Sequence, residues 1–271
     1  MSRPQEIMPL SAGDRAAGGL IGLALADVIG GPRQLACILA TSLLERRTHD
    51  RSAVLAAYLG WTRRFDTGPT MAAVLARIEA GEKPEQAAAT VHRMQRGKTG
   101  GCGPAHRVAP LGLLPCVPDE ALPDAARSEA RLTHLHPDAA EAAVAVAVLL
   151  RSLVRGSGWQ AAVTRTIPVA RGPVRDACLR WRHAPAARGG HAPVVLAAAL
   201  HFAGTLDAAQ AIHAAIAFDE ENYVAVLTGA FVGARYGLRA LNAVSLPGQT
   251  VSVQAQAIAT AIGQAWPLSA A

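Results

Sequence analysis

The run Asp219-Glu220-Glu221-Asn222-Tyr223 places three carboxylates, an amide and a phenol in five consecutive positions, ahead of a long apolar segment. Such a group can hold a divalent cation or polarise a water. It can also start a helix, whose N-terminal dipole stabilises a nearby carboxylate by about 0.3–1 kcal/mol. A helix start accounts for one or two of the acids. Three adjacent acids repel one another, and a cation close by would relieve that.

A second group is Thr133-His134-Leu135-His136-Pro137-Asp138. Two imidazoles two residues apart can ligate a metal or donate protons. The same residues also read as a helix start, with Pro137 in the first turn and Asp138 favouring the dipole. On local sequence the helix start is the better account. A third group, Gly100-Gly101-Cys102-Gly103-Pro104-Ala105-His106-Arg107, can turn backbone N–H groups toward an anion with Arg107 adding charge. Taken alone it reads first as a structural loop. The triplet Gly97-Lys98-Thr99 is not a phosphate-binding P-loop. That motif needs a glycine where His92 stands, and no strand precedes it.

The elements that must position these groups are helices. Hydrophobic residues make up 51% of the 271 and aromatics only 4%, so the apolar content is Ala, Leu and Val, which favours close-packed helices over sheets. Helical periodicity predicts segments Arg15–Ile29 (opened by Asp14), Gln34–Arg47, Arg51–Arg64, Thr70–Ala80 and Pro84–Arg96. Asp124–Leu132, Asp138–Arg155, Val194–Ala203, Leu206–Ala217 and Tyr223–Tyr236 follow. Gly18, Gly19 and Gly22 cost helix propensity and point to close helix–helix contact. Residues 97–118 read as a loop, and 166–193 as the least regular region. No alternating β pattern and no repeat is present. The expectation is one all-α domain over residues 1–271, with 1–12 a flexible tail.

The formal charge is +6, and lysine occurs only at Lys83 and Lys98, so the basicity is arginine. Arginine suits bidentate capture of phosphate or carboxylate, although solvated helix faces explain much of it. No basic run is dense or interleaved with aromatics, so nucleic acid is not an expected partner. Cys37, Cys102, Cys116 and Cys178 form no CxxC pair, which fits reduced thiols in a cytoplasm. The uncharged stretch Ala192–Leu206 is too short to span a membrane, and no membrane partner is expected.

Read in order, several stretches resemble the ADP-ribosylglycohydrolase family, the one that includes the dinitrogenase-reductase-activating glycohydrolase. DRAAGGLIGLALADVIG (14–30) resembles its opening helix and QLACILATSLLE (34–45) its second. GCGPAHRVAPLGLL (101–114) resembles a loop usually written GNGAAMRVAPLGLL. ARLTHLHPDAAEAA (130–143) resembles the segment around its Thr-His pair, and VAVLTGAFVGARYG (224–237) the helix after its second acidic motif. The resemblance implies a single compact, orthogonal all-α domain with a central ligand cleft.

This chain departs from the family at the metal motifs. Members hold two magnesium ions with Thr-Asp-Asp-Thr just before the second helix, and here those positions are Gly30, Gly31, Pro32 and Arg33. The long loop that normally precedes the motif is missing, which should open the cleft. The second motif, Gly-Gly-Asp-Thr-Asp-Thr, aligns with Phe218 to Tyr223, so Glu220 and Asn222 replace its aspartates and Tyr223 its last threonine. Magnesium wants oxygen ligands in octahedral geometry, so no binuclear magnesium site, and no other cofactor, is expected. The leading expectation is a magnesium-independent glycosidase acting on a ribosyl or nucleotide-like substrate. Asp219, Glu220, Glu221 and Asp27 would be its carboxylates, Arg33 a fixed cation in place of the metal, and His106 a proton donor. The resemblance further implies that Gly101, Cys102, Gly103, His106, Arg107, His134, Asn222 and Tyr223 bind the ligand, so Arg107→Ala should weaken binding without unfolding the chain. The alternative is an inactive member that binds ADP-ribose, a nucleotide or an ADP-ribosylated protein.

Overall fold

The computed structural model of the chain describes residues 10–61, 67–242, 244–246 and 248–267. Fifteen helices form among the described residues, and their only β pairing is the isolated bridge between Gly101 and His191. The architecture is all-α, as the periodicity predicts. Residues 1–9 of the expected tail lie outside the described residues, and the first helix already begins at Ala12, with Ser11 as its cap.

Helix α1 (Ala12–Ala26) starts three residues before the periodic pattern suggests. Ser11 caps it by accepting the Asp14 N–H at 3.0 Å, so Asp14 is not the cap. The helices α2 (Gly31–Arg46), α3 (Arg51–Gly60), α4 (Pro69–Glu79) and α5 (Pro84–Met94) follow their predicted segments. The last residues predicted for α3, 62–64, lie outside the described residues.

Residues 97–118 correct the loop expectation. They contain two short buried helices, α6 (Gly103–Arg107) and α7 (Ala109–Leu113). Pro104 and Pro110 look like loop residues in sequence, but each sits in a first helical turn, where a proline costs nothing. Carbonyls at their far end are collected by one cation: Arg151 donates to Leu111 and Gly112 oxygens at 2.9 and 3.0 Å, to Val117 oxygen at 3.0 Å, and to the Leu114 oxygen. The Asp119 carboxylate at 2.6 Å balances its charge.

Next come α8 (Leu122–Ala130), α9 (Pro137–Val154), α10 (Trp159–Thr166) and α11 (Gly172–Leu179). Helix α9 is buried on nearly all sides and is central in the fold, as its apolar circumference predicts. Helices α10 and α11 are not in the sequence reading, nor is the last helix, Val253–Gln264, and α11 lies inside the stretch 166–193 that reads as least regular. Then follow α12 (Ala192–Thr205), α13 (Ala208–Phe218), α14 (Tyr223–Leu241, bent at Gly237) and α15 (Val253–Gln264). One buried cluster runs from α1 to α15. Helix α14 is long and apolar enough to cross a membrane, yet 72% of its apolar window is inside this core.

The pairing of α1 with α14 sets the backbone of the site. A Cβ on Gly18 would stand 2.4 Å from the Gly233 oxygen, and one on Gly22 would stand 2.0 Å from the Gly229 oxygen. Only glycine lets these backbones touch, which is the close contact predicted for Gly18 and Gly22. The end of α1 therefore lies directly against the start of α14, and the Ala26 carbonyl meets Asn222.

Candidate functional site

A cavity of about 560 Å³ opens where the start of α2, the start of α4, the Lys98–His106 segment, His134, Gly190 and the start of α14 meet. Its walls mix apolar and polar groups: Ile29, Pro32 and Leu35 on one side, and Lys98, His106, His134, Glu221 and Tyr223 on the other. This suits an organic ligand with a few polar handles.

The glycine-rich segment is held open by backbone pairing. Cys102 N–H donates to Gly190 oxygen at 2.9 Å, and Ala192 N–H donates to Gly100 oxygen at 2.9 Å. Small residues here let backbone line the cavity: a Cβ on Gly101 or Gly103 would lie 3.5 to 3.8 Å from the His134 ring.

Both cavity histidines are locked. His106 pairs its Nε2 with the Tyr223 carbonyl at 2.9 Å, so Nε2 carries the proton and donates. Burial pushes its basicity down to about 4, partly opposed by that hydrogen bond and by Asp219. His134 Nδ1 lies 2.7 Å from the Thr133 hydroxyl. Burial, reinforced by the Arg107 charge, holds it well below the usual imidazole range. Both rings are neutral near pH 7. The buried Cys102 thiol is pushed up to about 12, chiefly by burial, so it is no thiolate nucleophile.

The acids expected to share the cleft do not converge. Asp27 is 1% exposed, and its Oδ1 accepts the N–H groups of Ile29 and Gly30, both at 2.9 Å. Its Oδ2 accepts the Arg33 N–H at 2.7 Å. It is a backbone clasp at the start of α2. Burial raises its pKa, against the pull of those hydrogen bonds and of Arg33. Asp219 is likewise buried. Its oxygens accept the N–H groups of Glu221 at 3.3 Å and Val224 at 3.1 Å, capping α14. Glu220 is exposed and does not line the cavity, and Arg33 does not line it either. Of the four expected carboxylates, only Glu221 reaches it.

Two further expectations change. Asn222 is buried in a left-handed conformation (φ 62°) and donates from Nδ2 to the Ala26 carbonyl at 2.8 Å, closing the end of α1. It is a joint between helices and not a lining group. Arg107, expected in the cleft, points away from it and is fully buried. Its Nε lies 2.8 and 3.1 Å from the two Glu129 carboxylate oxygens, and Tyr58 Oη donates to the same carboxylate at 2.8 Å. The helix turn from Gly103 to Arg107 sends His106 to the cavity and its neighbour to the core. Gly101, Cys102, Gly103, His106, His134 and Tyr223 do line the cavity. Sequence reading missed Lys98, Gly190, and Thr67–Thr70 at the start of α4. Lys98 stood in plain view as one of two lysines, but only the fold brings it to this rim.

The positions that would carry the family's magnesium ligands do not supply that donor set. Gly30, Gly31 and Pro32 have no side-chain oxygen. Asp27 and Asp219 have their oxygens on backbone N–H groups, and Asn222 leaves one buried oxygen, Oδ1, without a partner. One amide oxygen is far from the octahedral oxygen shell that magnesium requires.

The comparisons agree with the geometry at the level of the fold. The family pattern described as ADP-ribosylglycohydrolase matches residues 33–264. No curated protein matches the sequence. A solved structure titled "ADP-ribosylglycohydrolase-related protein complex" is similar at 26% identity with a TM-score of 0.75, over 94% of this chain and 99% of that one. With the family pattern covering most of its length and the all-α architecture superposing on that structure, this chain belongs to the ADP-ribosylglycohydrolase family.

Proposed function

We propose that the cavity binds a ribosyl or nucleotide-like ligand without magnesium, and that the chain acts as a binder of such a ligand or of a protein carrying it. The observation that supports this is the use made of the acids. Asp27 and Asp219 hold backbone N–H groups, and Glu221 is the one carboxylate lining the cavity among the described residues. Glycoside cleavage by carboxylates takes two of them on opposite sides of the scissile bond. A single acid with two neutral histidines lacks that pair. The same walls offer a ligand what recognition needs: the Tyr223 ring for stacking, Lys98 for an anionic group, and Gly101–Gly103 backbone close to the ligand.

Glu221 also carries a second reading. A carboxylate beside a cavity can stabilise an oxocarbenium-like centre by itself, which would make the chain a slow magnesium-independent glycosidase. Partner, cofactor and location follow the same reading: a small ribosyl ligand or an ADP-ribosylated protein, no nucleic acid, no membrane, no magnesium, and a cytoplasmic setting.

Calorimetry with ADP-ribose, with and without magnesium, together with an ADP-ribosyl-arginine cleavage assay, separates these readings. The expected result is binding unaffected by magnesium, weakened in Tyr223→Ala and Glu221→Gln, unchanged in Glu220→Ala, with no turnover. Turnover that Glu221→Gln removes selects the glycosidase. Magnesium-dependent cleavage would overturn both.

A further inference from the structure

Beside the ligand cavity lies a second recess of about 640 Å³, and the two share Lys98, Gly101 and Gly190. The second recess is lined by His136 and His191 together with His92, Arg96 and Pro137. Asp138 stands between the two rings: its Oδ2 is 3.1 Å from His191 Nε2 and 3.7 Å from His136 Nδ1. One donor atom from each of the three residues lies within 4.8 Å of the other two.

Zinc binds imidazole nitrogen and carboxylate oxygen at about 2.0–2.1 Å, so neighbouring donors in a tetrahedral site stand about 3.3–3.4 Å apart. The two separations from Asp138 Oδ2, 3.1 and 3.7 Å, bracket that edge. We infer that His136, Asp138 and His191 form a site for one divalent transition-metal ion, zinc by donor type, at the rim that joins the two recesses.

Three features support this. First, Gly100 leaves the room. A Cβ there would stand 3.1 to 3.3 Å from His191 Cδ2 and Nε2 and from His136 Nδ1, filling the space where the donors converge. Second, the donors arrive from separate segments that other bonds fix. The His136 backbone N–H donates to the Thr99 hydroxyl at 3.1 Å, and His92 Nδ1 lies 2.7 Å from the same hydroxyl. His191 is set by the Gly101 bridge and by the Ala192–Gly100 hydrogen bond. Third, His136 Nδ1 accepts the Asp138 N–H at 3.2 Å, which marks it as the ring nitrogen that carries a lone pair and no proton. A metal ion would take that lone pair from a long capping bond. The local reading of Pro137 and Asp138 as a helix start is therefore correct, and the same turn also assembles the donors.

Two imidazoles and one carboxylate favour zinc, cobalt or nickel over magnesium, which prefers oxygen. Three protein ligands leave an open position, and the side chain of His191 is 49% exposed, so that position is accessible from the recess. An ion there, next to Lys98, would offer an anionic ligand group a second cation. This site is unrelated to the family's magnesium motifs, and it stands whether or not the main cavity binds ADP-ribose.

The test is competition of the metal-stripped full chain against a chromophoric chelator with zinc chloride, followed by cobalt absorption spectroscopy. One zinc per chain at low micromolar affinity or tighter is expected, with visible bands of four-coordinate cobalt and no competition by millimolar magnesium. Changing a metal's outer partners costs 10–100-fold, so His191→Ala and Asp138→Asn, which replace direct ligands, should each weaken zinc by at least about 100-fold. Circular dichroism confirms that both variants fold. Zinc affinity unchanged in both variants, or no stoichiometric zinc in the wild type, overturns the site. Gly100→Ala supplies an independent check, since its methyl group should weaken zinc without removing a ligand.

Discussion

At the scale of single residues, two of the acids that look catalytic in the sequence, Asp27 and Asp219, hold backbone N–H groups instead. Asp27 satisfies three backbone N–H groups in the turn before α2. Asp27→Ala would leave them unpaired, and the expected loss is about 2–3 kcal/mol of stability, from a lost cap and buried orphan donors. Urea denaturation measures it, and an unchanged midpoint would refute the clasp. His106 sets a pH dependence of defined sign. Its folded-state pKa is about 4, against an ordinary value of 6.5. Below pH 6.5 the unfolded chain takes up a proton that the folded chain refuses. Stability attributable to this ring is therefore complete above pH 6.5, falls as the pH drops toward 4, and levels off below that. The full loss is on the order of 3 kcal/mol. His106→Met, which restores the residue usual in the family, should flatten that limb of the stability–pH curve.

At the scale of elements, the α1–α14 contact decides where the site residues stand. The Gly233 position has the Gly18 oxygen 1.9 Å from where a Cβ would sit, and no side chain can yield because both partners are backbone. Gly233→Ala should cost about 3 kcal/mol or more by forcing the helices apart. It should also weaken ligand binding, because Tyr223 opens α14 and Glu221 stands just before its cap. Gly60, near the end of α3, has nothing within 4 Å of a built Cβ, so Gly60→Ala should be neutral or stabilising by up to about 1 kcal/mol. Thermal melts of the two variants make the comparison. Equal effects would mean that the glycine stripe is not a packing requirement.

At the scale of the whole molecule, the buried Arg107–Glu129 pair joins segments distant in sequence, with Tyr58 of α3 as the third member. Removing one partner of a buried pair leaves an uncompensated charge and costs about 3–5 kcal/mol. Arg107→Met and Glu129→Gln should each destabilise by that order. The double variant should lose clearly less than the sum, a coupling that a double-mutant cycle by chemical denaturation reads directly. Arg107→Ala is thus expected to impair folding and not ligand binding, the reverse of what its place in the glycine-rich loop suggests.

The sequence by itself determined the helical class, because Ala, Leu and Val recur at helical spacing and small residues leave no alternating pattern. It also determined the α1 glycine contact, the family resemblance, and the lack of side-chain oxygens at Gly30, Gly31 and Pro32. What it could not determine was the direction in which each polar side chain points. One helical residue separates His106 in the cavity from Arg107 in the core, and a rotation of about 100° per residue has no signature in residue type. Likewise, an aspartate that caps a helix and one that activates water have the same letter. Only the tertiary structure, by fixing which backbone N–H groups lie beside Asp27 and Asp219, assigned those two to the scaffold. It alone brought Lys98, Gly190 and Glu221 to one cavity and set His191 against His136 and Asp138, since those pairings depend on contacts between segments far apart in the chain.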